Sequence, residues 1–133
     1  MVEDKKTILV VEDEKPLMDA IKKKLEICGF YVVTARDIKQ AMSYLEDLEK
    51  VDLVWLDHYL LGKENGLDLV TRMKNKGSKW KDIHIFVVSN TASPDKVNSY
   101  LDLGVDKYFT KADYRLDDII KDINGVLKRE CQA

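Results

Sequence analysis

Four short stretches of this chain each run into a group that can handle a metal ion or a phosphoryl group. Ile8-Leu9-Val10-Val11 leads into Glu12-Asp13, and Leu53-Val54-Trp55-Leu56 leads into Asp57. Ile85-Phe86-Val87-Val88 ends on Ser89, and Lys107-Tyr108-Phe109-Thr110 ends on Lys111. Read as buried parallel strands, the four bring an acidic pair, a lone aspartate, a hydroxyl and a lysine to one edge of a sheet. Adjacent carboxylates suit a hard cation such as Mg²⁺, which takes oxygen ligands and keeps several waters. A further carboxylate can serve as a nucleophile toward a phosphoryl group, and a lysine supplies a point charge for its oxygens. Taken singly, each has a plainer reading. Asp13 and Asp57 can cap helices or strand ends, Ser89 suits a turn, and Lys111 suits an exposed surface.

The elements that must position these groups alternate along the chain. Thr7–Glu12 is a continuous apolar run, as expected of a strand covered on both faces. Pro16 fits the first turn of a helix, in which Leu17, Ile21, Leu25 and Cys28 recur at helical spacing and Gly29 supplies the stop. Tyr31–Ala35 is the second strand. Asp37 caps a second helix carrying Ile38, Ala41, Met42, Leu45 and Leu48. Leu53–Asp57 is the third strand, followed by a loop and a third helix that starts near Gly66 and continues through Val70 and Met73. Gly77–Lys79 is a turn and Ile83–Ser89 the fourth strand. Ser93-Pro94 caps a fourth helix ending at Gly104, with Val97 and Leu101 assigned to the core and Tyr100 facing outward. Lys107–Phe109 is a shorter fifth strand. Leu116, Ile119, Ile120, Ile123, Val126 and Leu127 form a last amphipathic helix.

Strands alternating with helices predict an α/β fold with a parallel sheet covered on both faces, with right-handed crossovers. In such sheets ligands bind at the carboxyl ends of the strands, where the polar residues named above all fall. The chain has 133 residues, enough for one domain with a sizeable core. A net charge of -2 does not suit a chain built to coat nucleic acid. No apolar run reaches membrane-spanning length, and residues 1–6 lack the apolar core of a secretion signal. The two cysteines show no disulfide framework or metal-ligand spacing. Cys28 is assigned as a small core residue, Cys131 to the tail, and the chain to a reducing cytoplasm. Neither His58 nor His84 is assigned to a metal, because nothing completes a site around them. His58 flanks Asp57 and bears on partner docking, while Trp55 and Trp80 pack.

From about Thr7 to Lys128 the chain resembles the CheY-like receiver domain of two-component response regulators. The resemblance rests on Glu12-Asp13, Asp57, Ser89 and Lys111, in order and each at a strand end. It implies a flavodoxin-like, doubly wound five-stranded sheet of order 2-1-3-4-5 forming a single receiver domain over 1–133, with a core of about 7–128. It implies that Asp57 accepts a phosphoryl group from a sensor histidine kinase or phosphotransfer protein. Mg²⁺ (or Mn²⁺) would be held by Glu12, Asp13, Asp57 and the backbone carbonyl of Tyr59, with Ser89 and Lys111 on the phosphoryl oxygens. Ser89 and Tyr108 would act as switch residues, although Tyr108 also reads as an edge-strand aromatic. Tyr59 and Thr91 would tune phosphoform lifetime, and their types suggest a long-lived one. The kinase would dock on Pro16, Ala20, Lys23 and Lys24, and output would pass through the face of helix 4, strand 5 and helix 5, with possible homodimerisation. The implied role is signalling phosphoacceptor in a phosphorelay, not enzyme. No effector segment is evident after the last helix, which fits a stand-alone receiver or one excised from a larger regulator.

Three positions depart from the family pattern. Leu61 stands where the family has proline, and Gly66 falls one residue late. Together they point to a one-residue insertion after Asp57 that Gly62 helps to absorb. Ala112 replaces the usual proline after Lys111. A cis bond to alanine costs about 2.5–4 kcal/mol, so Lys111–Ala112 is predicted trans. Two other readings compete. A pseudo-receiver would keep the fold without phosphorylation, and a metal-dependent hydrolase would use Asp57 as nucleophile but lacks a visible general acid or cap segment.

Overall fold

The structure, a computed structural model, describes residues 5–60, 64–90 and 93–131. The expected elements Leu61, Gly62 and Thr91 lie outside the described residues. Strands β1 (Thr7–Val11), β2 (Tyr31–Ala35), β3 (Leu53–Leu56), β4 (His84–Ser89) and β5 (Lys107–Thr110) alternate with helices. The helices are α1 (Lys15–Ile27), α2 (Ile38–Asp47), α3 (Gly66–Lys74), α4 (Pro94–Leu103) and α5 (Leu116–Val126). All strand pairs are parallel, and the sheet order is β2-β1-β3-β4-β5, as predicted.

The apolar runs alternate between two cores, as the two-residue period of a strand requires. Leu9, Val11, Val54, Leu56, Ile85 and Val87 pack under α2 and α3. Ile8, Val10, Leu53, Trp55, Phe86 and Val88 pack under α1 and α5. Local signals set the helix ends. The Asp37 side chain accepts the Gln40 amide, Asn65 and Asp68 form a capping box, and Ser93 accepts the Lys96 amide ahead of Pro94. Gly104 closes α4 at φ 104°, a left-handed conformation that a Cβ penalises. The cap of α1 is Glu14, not Asp13. No cis peptide bond occurs among the described residues, so Lys111–Ala112 is trans as predicted.

Two expectations are corrected. Cys28 and Cys131 form a disulfide, with their Cα atoms 4.4 Å apart. Cys28 lies at the C-cap of α1, and residues 127–131 fold back from α5 to meet it, so a pairing invisible in sequence spacing arises from the packing of α1 beside α5. The second correction is the phase of α4. Tyr100 points into the core and is fully buried, whereas Leu101 is 45% exposed. Val97 and Leu103 sit half-buried on the Tyr100 side. The inward tyrosine is possible because its hydroxyl finds a polar partner there, described next.

Candidate functional site

Register alone brings the chemistry together. Val11 pairs with Leu56, so the next residues, Glu12 and Asp57, emerge side by side. The Asp57 amide donates to the Val11 carbonyl (3.0 Å) and the Glu12 amide to that of Ala35 (3.0 Å), extending the ladder one step past each strand. Ser89 pairs with Thr110, and the Lys111 amide donates to the Ser89 carbonyl at 2.8 Å. All four polar groups therefore leave the sheet at the same edge. Oxygens of Glu12, Asp13 and Asp57 lie within 4.8 Å of one another. Lys111 Nζ donates to Glu12 Oε1 at 2.9 Å and to Asp57 Oδ2 at 3.4 Å.

This arrangement is electrostatically strained. Glu12 is 1% exposed. Burial pushes its carboxyl up to about 7, with the Asp57 charge adding to the rise and the Lys111 hydrogen bond opposing it. Burial pulls the Lys111 ammonium down, but its hydrogen bond to Glu12 and the charges of Asp57 and Glu12 outweigh that, and its pKa is raised overall. Three crowded carboxylates facing one ammonium leave an excess of negative charge. That is the donor set a divalent oxygen-seeking cation fits. Glu12, Asp13 and Asp57 are the residues that could hold it.

Ser89 is fully buried at the end of β4. Its Oγ has no partner of ordinary hydrogen-bond geometry among the described residues. It still lies close enough to the Tyr108 hydroxyl to draw that group's pKa partway back from the rise that burial imposes. Tyr108 is half-buried on β5. Tyr59 is 55% exposed and leans toward α4, where Lys96 Nζ donates to its hydroxyl at 2.7 Å and sits 4.6 Å from its ring centre. Pro16, Ala20, Lys23 and Lys24 are all exposed on α1, and Lys24 pairs with Asp117 of α5 at 2.8 Å.

The sequence reading missed one buried polar pair. His58, directly after Asp57, is 5% exposed, and its Nδ1 lies 2.5 Å from the Tyr100 hydroxyl. Burial, followed by the Lys96 charge, lowers the His58 pKa, and burial raises that of Tyr100. The tyrosine ring also rests 5.7 Å from that of Tyr108. A Cβ on Gly66 would collide with the Tyr100 hydroxyl and crowd the Asp57 carbonyl at 3.1 Å. The displaced glycine was the available signal. Its need is for close approach, since the first turn of α3 passes directly over this pair.

Residues 8–124 match the family of the response regulator receiver domain. The chain belongs to that family. It is 32% identical over 124 residues to the phosphate regulon transcriptional regulatory protein PhoB of Pseudomonas aeruginosa, covering 93% of this chain and 52% of that protein. The receiver thus spans about half the length of the curated relatives it matches. Among solved structures it is similar to the phosphorylated cyanobacterial phytochrome response regulator RcpA, with a TM-score of 0.78 and 28% identity over 94% of this chain and 93% of that one. It is also similar to the Mn²⁺-bound form of response regulator Rcp1, with a TM-score of 0.75, 27% identity and 91% of each chain covered. The described part of this receiver contains no helix long and apolar enough to cross a membrane.

Proposed function

We propose that this receiver is a phosphoryl-accepting switch whose acceptor is Asp57. The observation that carries the reading is the convergence of Glu12, Asp13 and Asp57 within 4.8 Å beside the Lys111 ammonium. An Asp57 carboxylate oxygen attacks the phosphorus of a phosphohistidine on a sensor kinase or phosphotransfer protein. The P–N bond breaks, and an acyl phosphate forms on Asp57. Mg²⁺ or Mn²⁺, held by Glu12, Asp13, Asp57 and the Tyr59 carbonyl, would neutralise charge shared by carboxylate and phosphoryl oxygens. Lys111 exchanges part of its carboxylate pairing for the incoming phosphoryl oxygens. Ser89 offers them its hydroxyl, and its departure from the neighbourhood of Tyr108 carries the change toward β5.

In this reading the domain spans 1–133 with a core of about 7–128 and works in the cytoplasm as a signalling module, not as an enzyme acting on a separate substrate. The exposed α1 residues Pro16, Ala20, Lys23 and Lys24 receive the phosphodonor, and the α4–β5–α5 face receives the downstream protein or a second copy. Tyr59, two residues after Asp57 and held by Lys96, shields the acyl phosphate from water, with Thr91 as its counterpart. The transcriptional regulators among its relatives suggest that in a longer regulator such a switch governs a DNA-binding segment.

Intact mass after incubation with acetyl phosphate and Mg²⁺ tests the acceptor. One phosphoryl adduct is expected, requiring the cation and missing from Asp57→Asn. A folded protein that takes no adduct from either acetyl phosphate or a kinase would favour a receiver that works unmodified.

A further inference from the structure

The strap that closes the far end of α1 is not used by the phosphoryl site. After α5 the chain turns back through Lys128, whose φ is 55°, and lays residues 129–131 against the end of α1. Three separate contacts hold it there. Arg129 Nη2 donates to the Cys28 carbonyl at 2.7 Å, which satisfies a free carbonyl at the helix end. The Arg129 guanidinium stacks 4.0 Å over the Phe30 ring. Cys131 is bonded to Cys28. The strap forms one wall of a groove of about 580 Å³ between α1 and α5, whose other sides include Lys24, Ile27, Ile120 and Lys121.

We propose that Cys28 and Cys131 form a reversible dithiol–disulfide site, through which a dithiol reductant or its oxidised form opens and closes this strap. Two observations favour a reversible bond over a staple. The two apolar clusters flanking the sheet are built from strand and helix side chains, with Cys28 a buried member of one and Cys131 in neither. Small domains need staples when they cannot build such a core. Cys131 is also exposed while Cys28 is buried, so an incoming thiolate is directed to one sulfur. It attacks Cys131 Sγ, the S–S bond breaks, and Cys28 departs as a thiolate that takes up a proton. The second thiol of the reductant attacks the mixed disulfide, frees Cys131 and closes its own disulfide. Two electrons pass from the dithiol to the pair, and the reverse reaction returns them to an oxidised dithiol. In the reduced form the bond no longer pins the strap, which opens, and the Arg129 contacts with Phe30 and the Cys28 carbonyl return it to α1 often enough for the thiols to re-form the bond. The site is independent of the role assigned to Asp57.

Equilibrating the full chain in buffers of graded reduced and oxidised dithiothreitol, then trapping with an alkylating reagent under denaturing conditions, tests the proposal by intact mass. The expected result is no adduct at the oxidising end and two at the reducing end, with one transition reached from both directions. Circular dichroism should stay that of the folded protein throughout. The melting midpoint should fall by roughly 10 °C on reduction, because the bond closes a long loop. Cys131→Ser should melt like the reduced wild type. Hydrogen exchange should quicken at residues 128–131 and the last turn of α1, with β1 and β3 unchanged. Three results would overturn the proposal: two alkylated thiols at every redox poise, a bond that resists excess dithiol while the protein is folded, or loss of the folded spectrum on reduction.

Discussion

Helix α1 begins beside the acidic site and ends at the disulfide strap, and the two ends are held by opposite forces. At the first end, three carboxyl groups crowd one lysine, and burial drives Glu12 up to about 7. At the second, a hydrogen bond, a stacked guanidinium and a covalent bond all favour the same closed arrangement. The acidic end is destabilised in a way that an added cation relieves, whereas the strap gains nothing from one. A functional site built on charge is thus a local cost that the apolar sheet beneath it must carry. Divalent cation should therefore separate the effects of substitutions at the two ends.

The largest effect is expected from Lys111→Met without divalent cation. Its side chain is only 18% exposed and pairs with Glu12 and Asp57. Removing one partner of a buried ion pair strands the other. Denaturant unfolding should show a loss of about 3 kcal/mol, and Mg²⁺ should restore much of it. A neutral result in chelator would mean that the lysine does not hold the carboxylates together. Next comes Tyr100→Phe, which keeps the ring and removes the partner of buried His58 Nδ1. The expected loss is about 2 kcal/mol. Because this pair makes no hydrogen bond to Glu12, Asp13 or Asp57 among the described residues, and meets the site through ring contacts with Tyr59 and Tyr108, Mg²⁺ should not restore it. Recovery with Mg²⁺ would place Tyr100 inside the charge network instead of beside it.

Legibility in the sequence followed the same division. Glu12, Asp57 and Ser89 could be grouped because each follows an apolar run, with Lys111 after the shorter, more polar fifth strand, and parallel register carries all such residues to one edge. The strand order itself came from the family resemblance. The His58–Tyr100 pair was not legible. Val97 with Leu101 and Val97 with Tyr100 are equally good helical spacings, and the choice turned on a buried acceptor from another element. The disulfide was hidden for a similar reason. Cys28 and Cys131 stand 103 residues apart, and only the packing of α5 beside α1 brings them together. Patterns within one element read well from sequence, whereas a partnership between distant elements needs the fold first.

Smaller effects should come as a pair with opposite signs. Arg129→Ala removes the stack on Phe30 and the bond to the Cys28 carbonyl, and should cost about 1 kcal/mol with or without Mg²⁺. Asp57→Asn removes a charge from the crowded carboxylates and leaves Lys111 its shorter contact with Glu12. It should stabilise the protein in chelator by about 1 kcal/mol, and Mg²⁺ should erase that advantage. Equal signs for the two substitutions in chelator would remove the contrast between the ends of α1.

The smallest expected effect is a pH slope that belongs to the acidic end alone. The folded-state pKa of Glu12 is raised from 4.5 to about 7. Between those values the folded protein holds a proton that the unfolded chain has released, so stability must fall as pH rises. The contribution is fully present below 4.5 and lost by the time pH has passed through about 7. At its steepest the slope is on the order of 1 kcal/mol per pH unit. A bound divalent cation favours the ionised carboxylate at every pH in this window, so saturating Mg²⁺ should flatten the slope. Denaturant midpoints at pH 5, 6, 7 and 8 (roughly the span of that titration), each in chelator and in Mg²⁺, would show it. A slope that persists in Mg²⁺ would have to come from groups away from the three carboxylates. His58 is the evident candidate, but its sign is opposite: with its pKa lowered, it contributes stability that grows as pH rises toward 6.5. The direction of any residual slope therefore identifies its source.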